Sequence, residues 1–124
     1  MMKENKVRAL LNSGRPGVST RMWSTWPGYL ESLGNIGKYD YFEFVAEYVP
    51  FTQEELANLA RTAELYDMGS MIKVDFMNRG YVAQRAIAAG FQSVLFSDHH
   101  TAAEVRETVN MVKPEGPGSE GHFG

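Results

Sequence analysis

Residues 41–48, YFEFVAEY, followed by a turn at VPFT and the amphipathic run QEELANLARTAEL (53–65), decide how the chain is read. Tyr41, Phe42, Phe44, Val45 and Tyr48 are aromatic and β-branched types that suit a strand buried on both faces, which predicts a central parallel strand over 41–48. Glu47 stands out in such a stretch. A carboxylate near the exit of a buried strand is costly unless it is paired or used, and in α/β architectures that exit is where sites collect. Glu47 is therefore either a structural group, capping the next turn or pairing with a Lys or Arg, or part of a site.

Two later stretches end in the same way. SMIKVDF (70–76) carries Lys73 and Asp75 among apolar neighbours, and FQSVLFSDHH (91–100) ends in Asp98, His99 and His100. If all three strands are parallel, their C-terminal ends share one edge and these polar groups converge there.

Outward from this centre, the chain repeats one unit. Residues 3–11 predict a short helix stopped by Asn12-Ser13-Gly14, and VSTRMW (18–23) has strand character, with Arg21 either a rim group or an ordinary surface cation. Ser24 and Thr25 ahead of Pro27 predict a capped helix with Leu30 and Leu33 inward, ended by Gly34 and Gly37. Thr52 with Glu55, and Thr101 with Glu104, have capping-box spacing. Helical periodicity follows each box, in Leu56, Leu59, Ala60 and Ala63 and in Val105, Thr108, Val109 and Val112, and a helix over 81–89 lies between them. Trp23, Trp26 and the methionines read as core or helix–sheet packing. Strand and helix thus alternate about four times, which implies an α/β fold with a parallel sheet. Four βα units cannot close an eight-stranded barrel, which takes roughly 200 residues or more. The tail from residue 113, KPEGPGSEGHFG, is Pro/Gly-rich with no core-forming period and predicts no closing element.

Composition narrows the function. At 124 residues, 44% hydrophobic and 22% charged, the chain suits a single domain with a real core. A net charge of −3 gives no electrostatic footprint for nucleic acid. The absence of cysteine excludes disulfides and thiolate metal sites. No stretch resembles a membrane span and the opening apolar run is short for a secretory signal, so a cytoplasmic location is expected. Adjacent His99 and His100 would point in different directions on an extended strand end, so at most one is expected at a site.

The order YDYFEFVAEYVPFTQEELANLARTAEL, MIKVD, AQRAIAAGFQSVLFSD and TAAEVRETVNMVKPEGP resembles the N-terminal half of the HpcH/HpaI aldolase/citrate lyase family. The resemblance implies a partial (β/α)₈ TIM barrel over residues 1–124. It also implies a metal-dependent carbon–carbon lyase that makes or breaks a bond between a pyruvate-like 2-oxo acid and an aldehyde, with Mg²⁺ or Mn²⁺ as cofactor and a homo-oligomer as a possible assembly. Where the family has Asp-x-Glu-His, this chain has Val45, Ala46, Glu47 and Tyr48, so the Glu is kept while the His and its orienting Asp are replaced. Lys73 takes the place of the family's active-site Arg. Gln84 and Gly90 match the family's helix and the turn after it, and Ser97 followed by Asp98 replaces a strand-ending Pro.

The resemblance thus points to Tyr48, Lys73 and Glu47 as the catalytic group, and the strand-end reading adds Asp75, Asp98 and His99 as substrate-binding candidates, with no metal ligand among them. The family's metal ligands come from later strands and would lie beyond Gly124, so the chain is expected to be inactive alone. Tyr48, with an ordinary pKa near 10, acts mainly as a hydrogen-bond donor where a His shuttles protons. Lys73 could hold a carboxylate or an enolate oxygen, or lower the Tyr48 pKa. Alternatively, Tyr48 packs in the wall and Lys73 pairs with Glu47 or Asp75, leaving a non-catalytic homologue that binds an acidic metabolite or acts through oligomer contacts.

Overall fold

The computed structural model describes residues 3–124. A short helix α1 (Lys6–Ser13) precedes four βα units: β1 (Ser19–Met22) with α2 (Pro27–Ile36), β2 (Tyr41–Val45) with α3 (Gln53–Leu65), β3 (Gly69–Val74) with α4 (Arg79–Ala89), and β4 (Ser93–Phe96) with α5 (Ala102–Val112). The strands form one parallel sheet in the order β1-β2-β3-β4, so β2 is central, as its aromatic run implies. No helix among the described residues is long and apolar enough to cross a membrane.

Alternation along each strand separates two faces. Met22, Phe42, Phe44, Ile72 and Val74 point to the helices and join Leu30, Leu56, Leu59, Ala63 and Ala86 in one core. Phe42, Phe44, Leu30, Leu56, Leu59 and Ile72 are fully buried, each worth about 1.5–3 kcal/mol of transfer free energy. Strand register places Arg21 beside Glu43 and Glu43 beside Met71, with Lys73 two residues further on. These four share the face turned away from the helices.

Three strands end before the stretches read as strands do. β2 stops at Val45 rather than 48, because the Tyr48 N–H donates to the Val45 carbonyl (3.1 Å) and closes a turn. β3 stops at Val74, where the Asp75 carboxylate turns to accept from the backbone and side-chain N–H groups of Asn78, both at 2.9 Å. β4 stops at Phe96; Ser97 donates to the Val74 carbonyl (2.9 Å) and Asp98 adopts a left-handed conformation (φ 61°). A backbone turn ends the ladder at the β2 exit, and side-chain hydrogen bonding to backbone competes with it at the β3 and β4 exits.

Both capping boxes form, at Thr52/Glu55 and Thr101/Glu104. The cap expected from Ser24 and Thr25 does not. Trp26 occupies that position without a side-chain cap, Ser24 accepts from the Trp26 N–H, and the Thr25 hydroxyl donates to Glu55 (2.8 Å), tying the β1–α2 loop to the start of α3. The Thr25 hydroxyl first and the Thr52 backbone N–H second hold the Glu55 carboxyl below its ordinary value. A depressed folded pKa gives stability that is complete above the unfolded value and is lost as pH falls through the folded one. Unfolding scans of wild type and Glu55→Gln should therefore diverge above about pH 4.5 and converge in acid; parallel curves would refute this role.

Helix α2 runs through Gly34 and ends at Gly37, whose left-handed backbone (φ 65°) suits glycine. Gly34 has a different reason to lack a side chain: a Cβ there would sit 2.2 Å from Cγ of Tyr66 at the end of α3. Gly34→Ala is expected to destabilise the fold by about 1–3 kcal/mol, read by urea denaturation, because the clash meets the root of a ring and not a flexible tip.

Trp23 and Trp26 are exposed, in the loop after β1, so the packing role expected of them is not what the fold assigns. The tail does not simply trail away either. Phe123 N–H donates to the Lys113 carbonyl and Glu115 N–H to that of Phe123, both at 2.9 Å, while His122 N–H reaches the Asn110 carbonyl (2.8 Å), folding the Pro/Gly segment back on the end of α5.

Candidate functional site

Because all four strands are parallel, the groups that follow them lie along one edge of the sheet. At its centre Lys73, the penultimate residue of β3, forms an ion pair and hydrogen bond with Glu47 in the turn after β2. Their side chains are 20% and 17% exposed, so the pair is only partly shielded from solvent. The Lys73 ammonium also lies 4.9 Å from the centroid of the Tyr48 ring, a cation–π distance, and Tyr48 itself is exposed. The Glu47 hydrogen bond, helped less by Tyr48 and opposed by partial burial, raises the Lys73 pKa. Lys73 is thus held as a cation.

That state decides its chemistry. Imine formation with a carbonyl needs a neutral amine, usually obtained by lowering the lysine pKa. Lys73 is shifted the other way, which suits it to hold an anion or a developing oxyanion. Tyr48 offers a hydroxyl, and Glu47 fixes Lys73 in place.

The remaining candidates are placed differently. Asp75 is engaged at the start of α4 through Asn78. Asp98 sits on the left-handed residue after β4. His99 turns toward the helices: its Nε2 lies 3.0 Å from the Thr108 hydroxyl, and its ring packs edge-on to Phe76 and Phe96. His100, with its backbone N–H donating to Glu104, belongs to the α5 cap; that bond first, and then the Thr101 N–H, holds the Glu104 carboxyl below its ordinary value.

A second cluster lies behind the rim. Arg79 is buried at the start of α4, where it donates through Nε to Thr108 (2.7 Å), through Nη1 to the Phe76 carbonyl (2.7 Å) and through Nη2 to Glu107 (3.1 Å). Its guanidinium also stacks 4.0 Å from the Phe76 ring. One residue thereby fixes the β3–α4 loop against α5, and Thr108 passes the connection to His99 in the β4–α5 loop. Nothing local marks Arg79 in the sequence; the one signal is Thr108, a hydroxyl on the inward side of an otherwise apolar helix face.

Among the described residues no three His, Asp or Glu side chains come close enough to hold a metal ion. These residues therefore do not fit a divalent cation, and the chemistry of the rim is that of Lys73, Glu47 and Tyr48.

Comparison with known structures gives the same architecture. An HpcH/HpaI aldolase/citrate lyase family protein from Burkholderia cenocepacia J2315 superposes with a TM-score of 0.80 at 21% identity, over 98% of this chain and 48% of that one. An HpcH/HpaI aldolase from Desulfitobacterium hafniense DCB-2 gives 0.77 at 22% identity, over 95% and 44%. Macrophomate synthase gives 0.76 at 18% identity, over 97% and 40%. The chain spans less than half the length of each of these structures. No protein-family model matches the sequence, and no curated protein matches it. The chain has the fold of part of these aldolase/citrate lyase family structures.

Proposed function

We propose that this chain carries the anion-holding half of an aldolase-type carbon–carbon lyase site that takes a 2-oxo acid such as pyruvate and an aldehyde. The observation that carries this reading is the Lys73–Glu47–Tyr48 cluster at the strand-exit edge. In an aldol cleavage or addition the 2-oxo acid passes through an enolate, and negative charge grows on its oxygen. A cation already in place costs no reorganisation when that charge appears. Lys73 takes this role, Glu47 keeps it protonated and oriented, and the Tyr48 hydroxyl donates or relays a proton at the same edge. The fold likeness to proteins named as aldolases supports the class of reaction.

A divalent metal, which would polarise the 2-oxo acid, would need ligands from outside the described residues. Binding rather than turnover is the activity expected of these residues by themselves. Isothermal titration with pyruvate and with oxalate, an enolate mimic, tests the proposal. Saturable binding, tighter for oxalate than for pyruvate, supports it. Equal binding of the two favours a non-catalytic protein that holds an acidic metabolite. No binding of either ligand overturns both. Treatment with pyruvate and borohydride should leave Lys73 unmodified by mass spectrometry; a trapped adduct would refute the electrostatic role.

A further inference from the structure

Lys73 is not the only cation on the helix-free face. Arg21, the penultimate residue of β1, pairs in register with Glu43 of β2, and Glu43 with Met71 of β3, two residues before Lys73. Arg21 and Lys73 therefore point to the same side of the sheet, with β2 between them. Two strand spacings and two residues of rise separate their backbones by about 12 Å.

Each cation is held from the protein side by one carboxylate, Lys73 by Glu47 and Arg21 by Glu43. The second pair is unusual in two ways. Glu43 is buried at 8% exposure in the middle of the central strand, where apolar residues normally fill a barrel. Its Oε1 lies 3.3 Å from Arg21 Nε, close enough to pair, yet off the line of a hydrogen bond, so that this shielded oxygen has no hydrogen-bond partner among the described residues. The Arg21 side chain meanwhile stays 62% exposed. A carboxylate buried at such cost holds the root of the guanidinium and leaves its planar, two-pronged end open, the geometry that receives a carboxylate.

We infer that Arg21, oriented by Glu43, is a second anion-holding group, and that the ligand of this face is a short dicarboxylate with one end on Lys73 and the other on Arg21. This rests on the reading of Lys73 as an anion holder and narrows the 2-oxo acid to one with a second carboxylate. The roughly 12 Å between backbones leaves room for a short carbon chain once two long side chains have reached inward. Arg21 is here a specificity-determining residue, and Glu43 a positioning residue that acts through it.

The test titrates the whole chain with succinate, propionate and pyruvate, because succinate and propionate differ in one carboxylate. Succinate is expected to bind about tenfold or more tightly than propionate, the effect of one charge-assisted contact. Arg21→Gln should remove that preference and leave propionate and pyruvate affinity unchanged, with Arg21→Lys restoring part of it. Glu43→Gln should weaken succinate alone, and thermal melts of all variants confirm that they fold. Equal affinity for succinate and propionate, no succinate binding, or a preference that survives Arg21→Gln overturns the proposal. If Lys73→Met leaves pyruvate binding intact while Arg21→Gln still abolishes the succinate preference, the Lys73 reading fails and the Arg21 site stands. The reverse pattern keeps Lys73 and removes Arg21.

Discussion

Lys73→Met is expected to weaken oxalate and pyruvate binding about a hundredfold, roughly 3 kcal/mol, the upper range for a hydrogen bond to a charged group. The substitution also leaves the Glu47 carboxylate without its partner in a site where the side chain is only 17% exposed, so some loss of stability accompanies it. The double variant Lys73→Met/Glu47→Gln separates the two effects. It should recover most of the stability and none of the affinity, because the neutral amide no longer needs a cation while the ligand still does. If binding returned with stability, Lys73 would be a structural partner and nothing more.

The same pair has a pH signature. Lys73 titrates higher in the folded chain than in the unfolded one, chiefly through Glu47. Its contribution is complete below the unfolded value and is lost as pH rises through the folded value. Wild type should lose this increment above about pH 10.5, and Lys73→Met should show no such alkaline step. Urea midpoints at pH 8 and above pH 10.5 read the difference.

Arg79→Met is the second large effect, an expected loss of about 2–4 kcal/mol in urea denaturation. The substitution keeps the apolar stem of the side chain, so most of the cost comes from the polar contacts it abandons. Thr108 is 1% exposed and would lose its Arg79 donor, the Phe76 carbonyl would lose its Nη1 contact, and the stacking on the Phe76 ring would go. Glu107 is more than half exposed and adds little, because water replaces Arg79 there. A double-mutant cycle with Thr108→Val checks the attribution. Since both residues serve one hydrogen bond, the losses should be clearly less than additive; strict additivity would mean that the two act independently.

Much of the fold was legible in the chain because it depends on local pattern. The aromatic run at Tyr41–Val45, the helical spacing of Leu56, Leu59, Ala60 and Ala63, and the two Thr/Glu boxes each encode an element within a few residues, and their alternation implies a parallel sheet. The exits of the strands were less legible. Apolar character continues past Val45, in Ala46, Tyr48 and Val49, while the chain leaves the ladder once a turn hydrogen bond is the better alternative. Ser24 and Thr25 misled for a related reason. A hydroxyl reads as a cap for the next helix, yet Thr25 finds a stronger acceptor in Glu55, 30 residues away.

By itself, then, the sequence determined that strands and helices alternate, that β2 lies in the middle, and that Glu47, Lys73, Asp75, Asp98 and His99 come at strand ends. Tertiary structure alone decided which of these meet. It joined Lys73 to Glu47 beneath Tyr48, turned Asp75 and His99 to structural partners, and set Arg21 and Glu43 side by side on the helix-free face. The reason is geometric: spacing along a strand fixes which way a side chain points, whereas its neighbours across the sheet depend on the register between strands distant in the chain.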